Sequence, residues 1–294
     1  MQIQTFKIFC DVAETSSFSK AAELNGVTQS AVSQQIRALE ERYRVMLVER
    51  GKKNFALTVE GEVFLEASQQ ILEIMNGLEG RIRELRNIVA GELRVVSVYS
   101  IGLHELPVYL KEFKKRYEDV DVKVDYRRSS QVYMDVYEGR ADIGLVAYPV
   151  KRKGLNVGAF WRDRLIMICP PEHRLAKKEK ISLKDLQGEK FISFEPDLPT
   201  RKAIDKEFKG RKVDVKQVME FDNIETVKRA VEIESGISIV PETTVKVECG
   251  SGSLCGIALE EELWRPLGVV TKRNRGVSPA QKQFLKLLHD GRSE

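Results

Sequence analysis

Between Phe64 and Val89, apolar residues recur at alternating intervals of four and three: Phe64, Ile71, Leu78 and Leu85 in one row, Ser68, Met75, Ile82 and Val89 in the other. Only Ser68 is polar, and the pattern is sustained for more than three heptads, which predicts a long helix with an apolar seam for a partner helix. Some thirty residues of helix span roughly 45 Å. Gly77 and Gly80 weaken such a helix as a free-standing rod, so a helix packed on its own domain is the competing reading.

Upstream of this helix the texture is helical. Phe6, Phe9, Val12 and Ala13 fall at helical spacing, and Thr15-Ser16-Ser17 supplies a stop and a new N-cap. A short second helix runs from Phe18 to Leu24 and ends at Asn25-Gly26, residues that tolerate positive φ. Thr28 can cap a third helix reaching about Tyr43, with Val32, Ile36 and Leu39 as its buried stripe. Two helices joined by a Gly-containing turn make a helix-turn-helix. From Val45 to Leu57, short apolar stretches flank Arg50-Gly51-Lys52-Lys53-Asn54, a pattern that predicts a small hairpin with a basic tip, a wing.

The third helix has a free face. Ser30, Ser33, Gln34 and Arg37 lie opposite the buried stripe, with Gln29 and Ser30 at the helix start, and they are short polar groups plus one arginine rather than a Glu/Lys ladder. Such side chains pair with base edges in the major groove, while the N–H groups of the helix start favour a phosphate. Arg50, Lys52 and Lys53, with Arg42 and Arg44 before them, put positive charge where phosphate backbones would pass. Placement carries this argument, because residues 1–60 hold eight basic and seven acidic residues and the whole chain only 48 against 44.

After Gly91 strands and helices alternate: LRVVSV, a helix near Leu106–Tyr117, VDVKVDY, a helix over Ser129–Glu138, then ADIGLVAY. A second set follows with RLIMICP, FISFE, a helix from Thr200, KQVMEF, a helix from Ile224 and GISIVP, and the chain closes with a strand at Leu267–Thr271 and a helix over Ser278–His289. Repeated βαβ units of this size predict two parallel-sheet lobes facing each other across a ligand cleft.

Several classes of function are disfavoured. The start of the chain has no basic n-region, apolar stretch and cleavage site. No apolar run approaches the roughly 18 residues that cross a membrane, so the expected location is the cytoplasm, without membrane association. Cys10, Cys169, Cys249 and Cys255 are scattered without CxxC spacing, which argues against zinc and against a disulfide framework. The segment from Phe194 to Glu248 has no cysteine for a peroxide-sensing pair. His104, His173 and His289 are far apart in sequence, GSGS at 250–253 lacks the setting of a phosphate loop, and no GxSxG, P-loop, HExxH or dinucleotide fingerprint occurs. The expectation is therefore no enzyme, no metal and no cofactor.

The stretch FCDVAETSSFSKAAELNGVTQSAVSQQIRALEERY, followed by LVER and LTVEG, resembles the signature of LysR-type transcriptional regulators. The match is dense over residues 1–61, and the heptad helix and the βαβ region from GELRVVS extend it over essentially the whole chain. The resemblance implies a fold in which an α-rich winged helix-turn-helix (1–58) and a linker helix (59–90) precede an α/β effector domain (91–294). That domain would have two Rossmann-like, periplasmic-binding-protein-like lobes, about 91–161 with 266–294, and about 162–265.

It implies sequence-specific binding of double-stranded DNA through Gln29, Ser30, Ser33, Gln34 and Arg37, with Arg50 and Lys53 in the wing. It further implies homodimerisation through the linker helix, assembly to a homotetramer, and control by a small-molecule effector between the lobes. Ser100, Ser129, Ser130, Thr200 and Arg201 stand at strand ends and helix starts suited to hold the effector. Arg128 and Arg201 suit a carboxylate or phosphate, which favours an anionic metabolite.

Two positions depart from the family pattern: Arg44 stands where glycine is usual, and Val48 where an aromatic packs beneath the wing. A solute-binding protein shares the two-lobed architecture, but residues 1–90 tell against it.

Overall fold

A computed structural model describes residues 2–49, 55–85, 89–273 and 275–291. The chain divides into two compact units, Met1–Ile88 with Arg275–Pro279, and Val89–Asn274 with Ala280–Glu294.

The first unit begins with α1 (Ile3–Thr15), α2 (Phe18–Asn25) and α3 (Gln29–Tyr43). The caps are those expected: the Ser17 side chain accepts from Lys20 N–H, Thr28 from Ala31 N–H, and Gly26 ends α2 at φ 63°. Arg44 ends α3 at φ 54°, ψ 39°. This left-handed conformation costs a residue with a Cβ about 1–2 kcal/mol and glycine almost nothing, so the family's usual glycine has its physical reason here. Val48 bridges Leu57 in antiparallel fashion, and Glu49 N–H donates to Ala56 O. These contacts form the base of the hairpin. Its expected tip, Arg50, Lys52 and Lys53, lies outside the described residues.

The linker helix α4 (Val59–Leu85) has 27 residues, about 40 Å of helix. Its seam is divided. Phe64 packs on Phe6, Phe9 and Tyr43 with ring centroids 5.9, 5.0 and 5.4 Å away, and Ser68 is fully buried, donating to Phe64 O. The first turns of α4 therefore complete the core of their own unit. Further along, Ile74, Leu78 and Ile82 are 72%, 50% and 46% exposed at intervals of four. Val89, expected on the seam, lies beyond the helix and packs against the core of the second unit.

The second unit opens with β1 (Gly91–Ser97), α5 (Tyr99–His104), α6 (Leu106–Arg116), β2 (Val120–Tyr126), α7 (Ser129–Tyr137) and β3 (Ile143–Ala147). It continues through β4 (Leu155–Cys169), β5 (Lys180–Ile181), β6 (Lys190–Phe194), α8 (Pro199–Arg211), β7 (Lys216–Phe221), α9 (Ile224–Glu232), β8 (Ser238–Pro241), α10 (Lys246–Ser251), β9 (Cys255–Leu259), β10 (Trp264–Lys272) and α11 (Pro279–Asp290).

Strands β2, β1 and β3 are parallel, as the βαβ pattern requires, but β10 then pairs antiparallel with both β3 and β4. The lobes are thus mixed sheets rather than wholly parallel ones. The 15-residue β4 runs through both lobes: it pairs with β10 from Leu155 to Arg164 and with β8 and β9 from Leu165 to Cys169. Of β4, the sequence pattern showed only the apolar end RLIMICP, because 155–163 mix apolar and polar residues and are mostly exposed or half-buried. Lobe one has apolar layers on both faces of its sheet, one with Phe113 and Phe284, the other with Val132 and Val136. Lobe two is built around Met167, Phe191, Ile239 and Ile257.

Candidate nucleic-acid interface and ligand cleft

In α3 the residues Val32, Ile36 and Leu39 are buried, which turns the opposite face outward. Gln29, Ser30, Gln34 and Arg37 are exposed and Ser33 is half-buried. Gln29 Nε2 donates to Ser33 Oγ at 2.9 Å, and Ser30 Oγ lies 2.9 Å from Thr28 Oγ1. The side chains of Gln34 and Arg37 have no hydrogen bond or ion pair among the described residues. The face offers donors, acceptors and one cation, of which Gln34 and Arg37 are uncommitted among the described residues, and such groups suit a surface that reads base edges.

Two groups hold this face in place that the sequence pattern did not single out. Glu40, only 6% exposed, accepts from Leu47 N–H at 3.0 Å and Val48 N–H at 3.4 Å, fastening the end of α3 to the hairpin base. Gly61, within the LTVEG stretch, sits where a Cβ would come 2.1 Å from Leu47 O. Only glycine lets α4 start this close to the wing.

In the second unit, a cleft of ≈ 630 Å³, its open mouth included, lies between the lobes. Its walls bring together Ser100 and Ser129 from lobe one and Thr200 from lobe two. Each stands in the first turn of its helix: Ser100 of α5, Ser129 of α7, Thr200 of α8. Neither α7 nor α8 has a side-chain N-cap, whereas Asn223 caps α9 by accepting from Thr226 N–H at 3.0 Å. Thr200 is 8% exposed, and its hydroxyl forms no hydrogen bond among the described residues. Val98, Tyr99, Phe194, Leu198 and Ile224 make much of the remaining wall apolar.

The other two expected cleft residues stand elsewhere. Ser130 is exposed and does not line the cleft. Arg201 is directed into lobe two: Nε donates to Asp205 at 2.7 Å, Nη1 to Phe194 O and Glu220, each at 2.6 Å, and Nη2 to Gln217 at 2.9 Å. It fastens α8 to the β6–β7 pair. Nothing in a single sequence distinguishes it from its neighbour Thr200, since both open the same helix.

Arg128 bridges the mouth. Its guanidinium meets Glu195 at 2.8 Å, Asp222 at 3.3 Å and Asp197 at 3.5 Å, all from lobe two. A second cross-lobe contact joins His104 Nε2 to Glu225 Oε1 at 2.8 Å, and the buried Lys228 holds Glu225 at 3.0 Å and Glu248 at 2.8 Å. Burial by itself would raise the Glu225 carboxyl, but hydrogen bonds from Lys228 and His104 outweigh it and hold the group below its usual range.

The floor of the cleft contains Arg265, which no sequence pattern flagged. It pairs with Asp163 directly opposite on β4, and Nη1 donates to Ser100 Oγ at 2.8 Å. Nearby, burial foremost pushes the Tyr148 hydroxyl up to about 12, so it stays protonated at neutral pH.

Chemistry of other kinds finds little support in the geometry. His104, His173 and His289 contact three different carboxylates, Glu225, Glu189 and Asp290. Burial pushes the Cys10 and Cys169 thiols up to about 12 and raises Cys249 too, opposite to what a nucleophilic thiolate needs. Among the described residues no group of three metal-ligating side chains occurs, and no helix is long and apolar enough to cross a membrane.

A helix-turn-helix with an exposed polar face on its second helix, together with a two-lobed domain holding a cleft, defines a ligand-responsive DNA-binding regulator. Residues 3–62 match the model for bacterial regulatory helix-turn-helix proteins of the lysR family, and residues 86–293 that for the LysR substrate binding domain. The uncharacterized HTH-type transcriptional regulator MJ0300 of Methanocaldococcus jannaschii is 34% identical over 291 residues, covering 98% of both chains. The chain belongs to the LysR family, as a DNA-binding transcriptional regulator with an effector-binding domain.

A full-length OxyR variant from Pseudomonas aeruginosa shares the fold, with a TM-score of 0.77 at 18% identity over 99% of this chain and 94% of its own. The CcmR regulatory domain of Synechocystis PCC6803, solved in complex with 2-PG, is 25% identical with a TM-score of 0.63, over 69% of this chain and 98% of its own.

Proposed function

We propose that Gln29, Ser30, Ser33, Gln34 and Arg37 read base edges in the major groove, while Arg50, Lys52 and Lys53 contact the phosphate backbone from the wing. The observation that carries this reading is Arg37, exposed on the recognition helix and without an ion pair among the described residues. The exposed stripe Ile74, Leu78 and Ile82 of α4 supports pairing of two copies through this helix. Paired recognition helices would address two half-sites, and a homotetramer would bring two such pairs together. The protein acts in the cytoplasm as a regulator, not as a catalyst.

The cleft receives a small anionic effector, with Ser100, Ser129 and Thr200 among its contacts. Support comes from their convergence on one cavity, from the uncapped starts of α7 and α8, and from the regulatory domain of CcmR, which holds 2-PG. A ligand that prefers one separation of the lobes shifts the population of lobe arrangements, and the Arg128 and His104 contacts are the ones such a shift makes or breaks.

The test is selection of bound fragments from random DNA by the purified full-length protein, followed by footprinting at physiological salt. Enrichment of a partly palindromic motif protected over two neighbouring half-sites is the expected result. No enrichment, with binding that vanishes as salt rises, would leave only charge attraction and refute base readout.

A further inference from the structure

Arg265 is placed differently from the other arginines of the cleft. It is 2% exposed, yet it lines the cavity. Its Nε and Nη2 donate to one oxygen of Asp163, the former at 3.2 Å, and Nη1 donates to Ser100 Oγ at 2.8 Å. A guanidinium has five N–H groups; these bonds use three, leaving one on Nη1 and one on Nη2. The Asp163 side chain is wholly buried, and its second oxygen, Oδ1, has no hydrogen-bond partner among the described residues. Asp163 and Arg265 face each other across β4 and β10, with Arg265 one residue from the start of β10. A buried ion pair of this kind is weak evidence for stability, because desolvation offsets most of the attraction, so its place in the floor of the cleft calls for another reason.

The charge in the cleft limits what can bind there. Arg128 faces three carboxylates, Glu195, Asp197 and Asp222, and Arg127 lies 3.6 Å from Asp135. Arg265 is neutralised by Asp163 in the same way. Five carboxylates thus stand against three guanidinium groups, so each further negative charge on a ligand would meet repulsion rather than a partner. One carboxylate, with the two remaining N–H groups of Arg265 and the hydroxyls of Ser100 and Thr200 as donors, is matched, and its body would lie along Val98, Phe194, Leu198 and Ile224.

We infer that Arg265 anchors the carboxylate of a compact organic monoanion with an apolar body, and that Asp163 sets the charge this anion meets. The inference rests on the reading of the cleft as the effector site. Because Asp163 lies on β4, the strand that runs through both lobes, an anion drawing Arg265 away from Asp163 acts directly on the connection between them.

The experiment is calorimetric titration of the full-length protein with benzoate, hexanoate and phenyl phosphate, on the wild type and on Arg265→Gln, Asp163→Asn, Ser100→Ala and Leu198→Trp. At least one of the two monocarboxylates binds the wild type, more tightly than phenyl phosphate. Arg265→Gln weakens that binding a hundredfold or more. Asp163→Asn strengthens it about tenfold, since the full charge of Arg265 becomes available, an effect a merely structural role would not produce. Ser100→Ala weakens it a few-fold and serves as the probe if Arg265→Gln does not fold.

Wild-type binding of neither monocarboxylate, or tighter binding of phenyl phosphate, overturns the ligand class. Unchanged binding by Arg265→Gln, or by Ser100→Ala in its place, overturns the anchor, and so does weaker binding by a folded Asp163→Asn. Leu198→Trp, which fills the cleft, separates the two levels. If it abolishes binding while Arg265→Gln does not, only the anchor fails; if neither variant affects binding, the cleft itself is not the site.

Discussion

On and just after the recognition helix, Arg37, Arg42 and Arg44 are exposed and meet no carboxylate among the described residues. In the cleft of the second unit, Arg127, Arg128 and Arg265 each face at least one. The same residue type is thus used in opposite ways. Cations without internal partners are available to a polyanion at no cost in broken ion pairs, and their effect is long-ranged and weakened by salt. Cations already paired respond only to an anion that competes with their partner, so they discriminate among small ligands and hold the lobes in register. The first arrangement gives attraction, the second selectivity.

The largest expected effect tests the paired side. Arg265→Ala leaves Asp163 buried without compensation, which costs about 3–5 kcal/mol, read as a lower denaturant midpoint for the second unit. Arg37→Ala is predicted to do the reverse: it loses about 1–3 kcal/mol of affinity for the cognate DNA site, with the thermal unfolding of the first unit unchanged, because Arg37 makes no side-chain bond among the described residues. A large loss of stability in Arg37→Ala, or none in Arg265→Ala, would break the comparison.

Arg44→Gly sharpens it. Releasing the left-handed backbone at φ 54° should stabilise the first unit by about 0.5–1 kcal/mol net of the greater freedom of the unfolded chain. The same change removes one cation and lowers the salt slope of DNA binding by about 1. Stability and affinity should therefore move in opposite directions in a single variant.

The smallest effect concerns pH. The Glu225 carboxyl is held below its ordinary value of 4.5. A depressed folded-state value means that the contact with His104 and Lys228 contributes stability above about pH 4.5 and loses it as pH falls through the folded value. Glu225→Gln should flatten the acid limb of the second unit's unfolding curve while leaving the first unit's curve unaltered.

The two regions also differ in how far the sequence revealed them. The exposed face of α3 was legible because Val32, Ile36 and Leu39 fix the buried side of one short helix, and everything opposite follows from helical geometry. The cleft is assembled from segments more than a hundred residues apart, and helix starts are the only local signal of it. That signal found Ser100, Ser129 and Thr200 and equally pointed to Ser130 and Arg201, which the structure places outside the cleft.

Arg265 and Asp163 gave no signal at all, because their meaning lies in the antiparallel pairing of β10 with β4, and the alternation of βαβ units suggested only parallel sheets. The heptad pattern was legible but read too uniformly: Phe64 and Ser68 share its spacing with Leu78 and Ile82 while packing into their own unit. Spacing along a helix reports which residues share a side, not which partner covers them.

The measurement that bears most directly on the central claim is a coupling analysis of the selected DNA site. Wild type and Arg37→Ala are titrated at fixed salt against the cognate duplex and against duplexes altered one base pair at a time. Base readout predicts that the loss from Arg37→Ala disappears for substitutions at one position in each half-site and persists everywhere else. An equal loss for every duplex would show that Arg37 contributes charge alone, and would contradict the assignment of α3 as the helix that reads sequence.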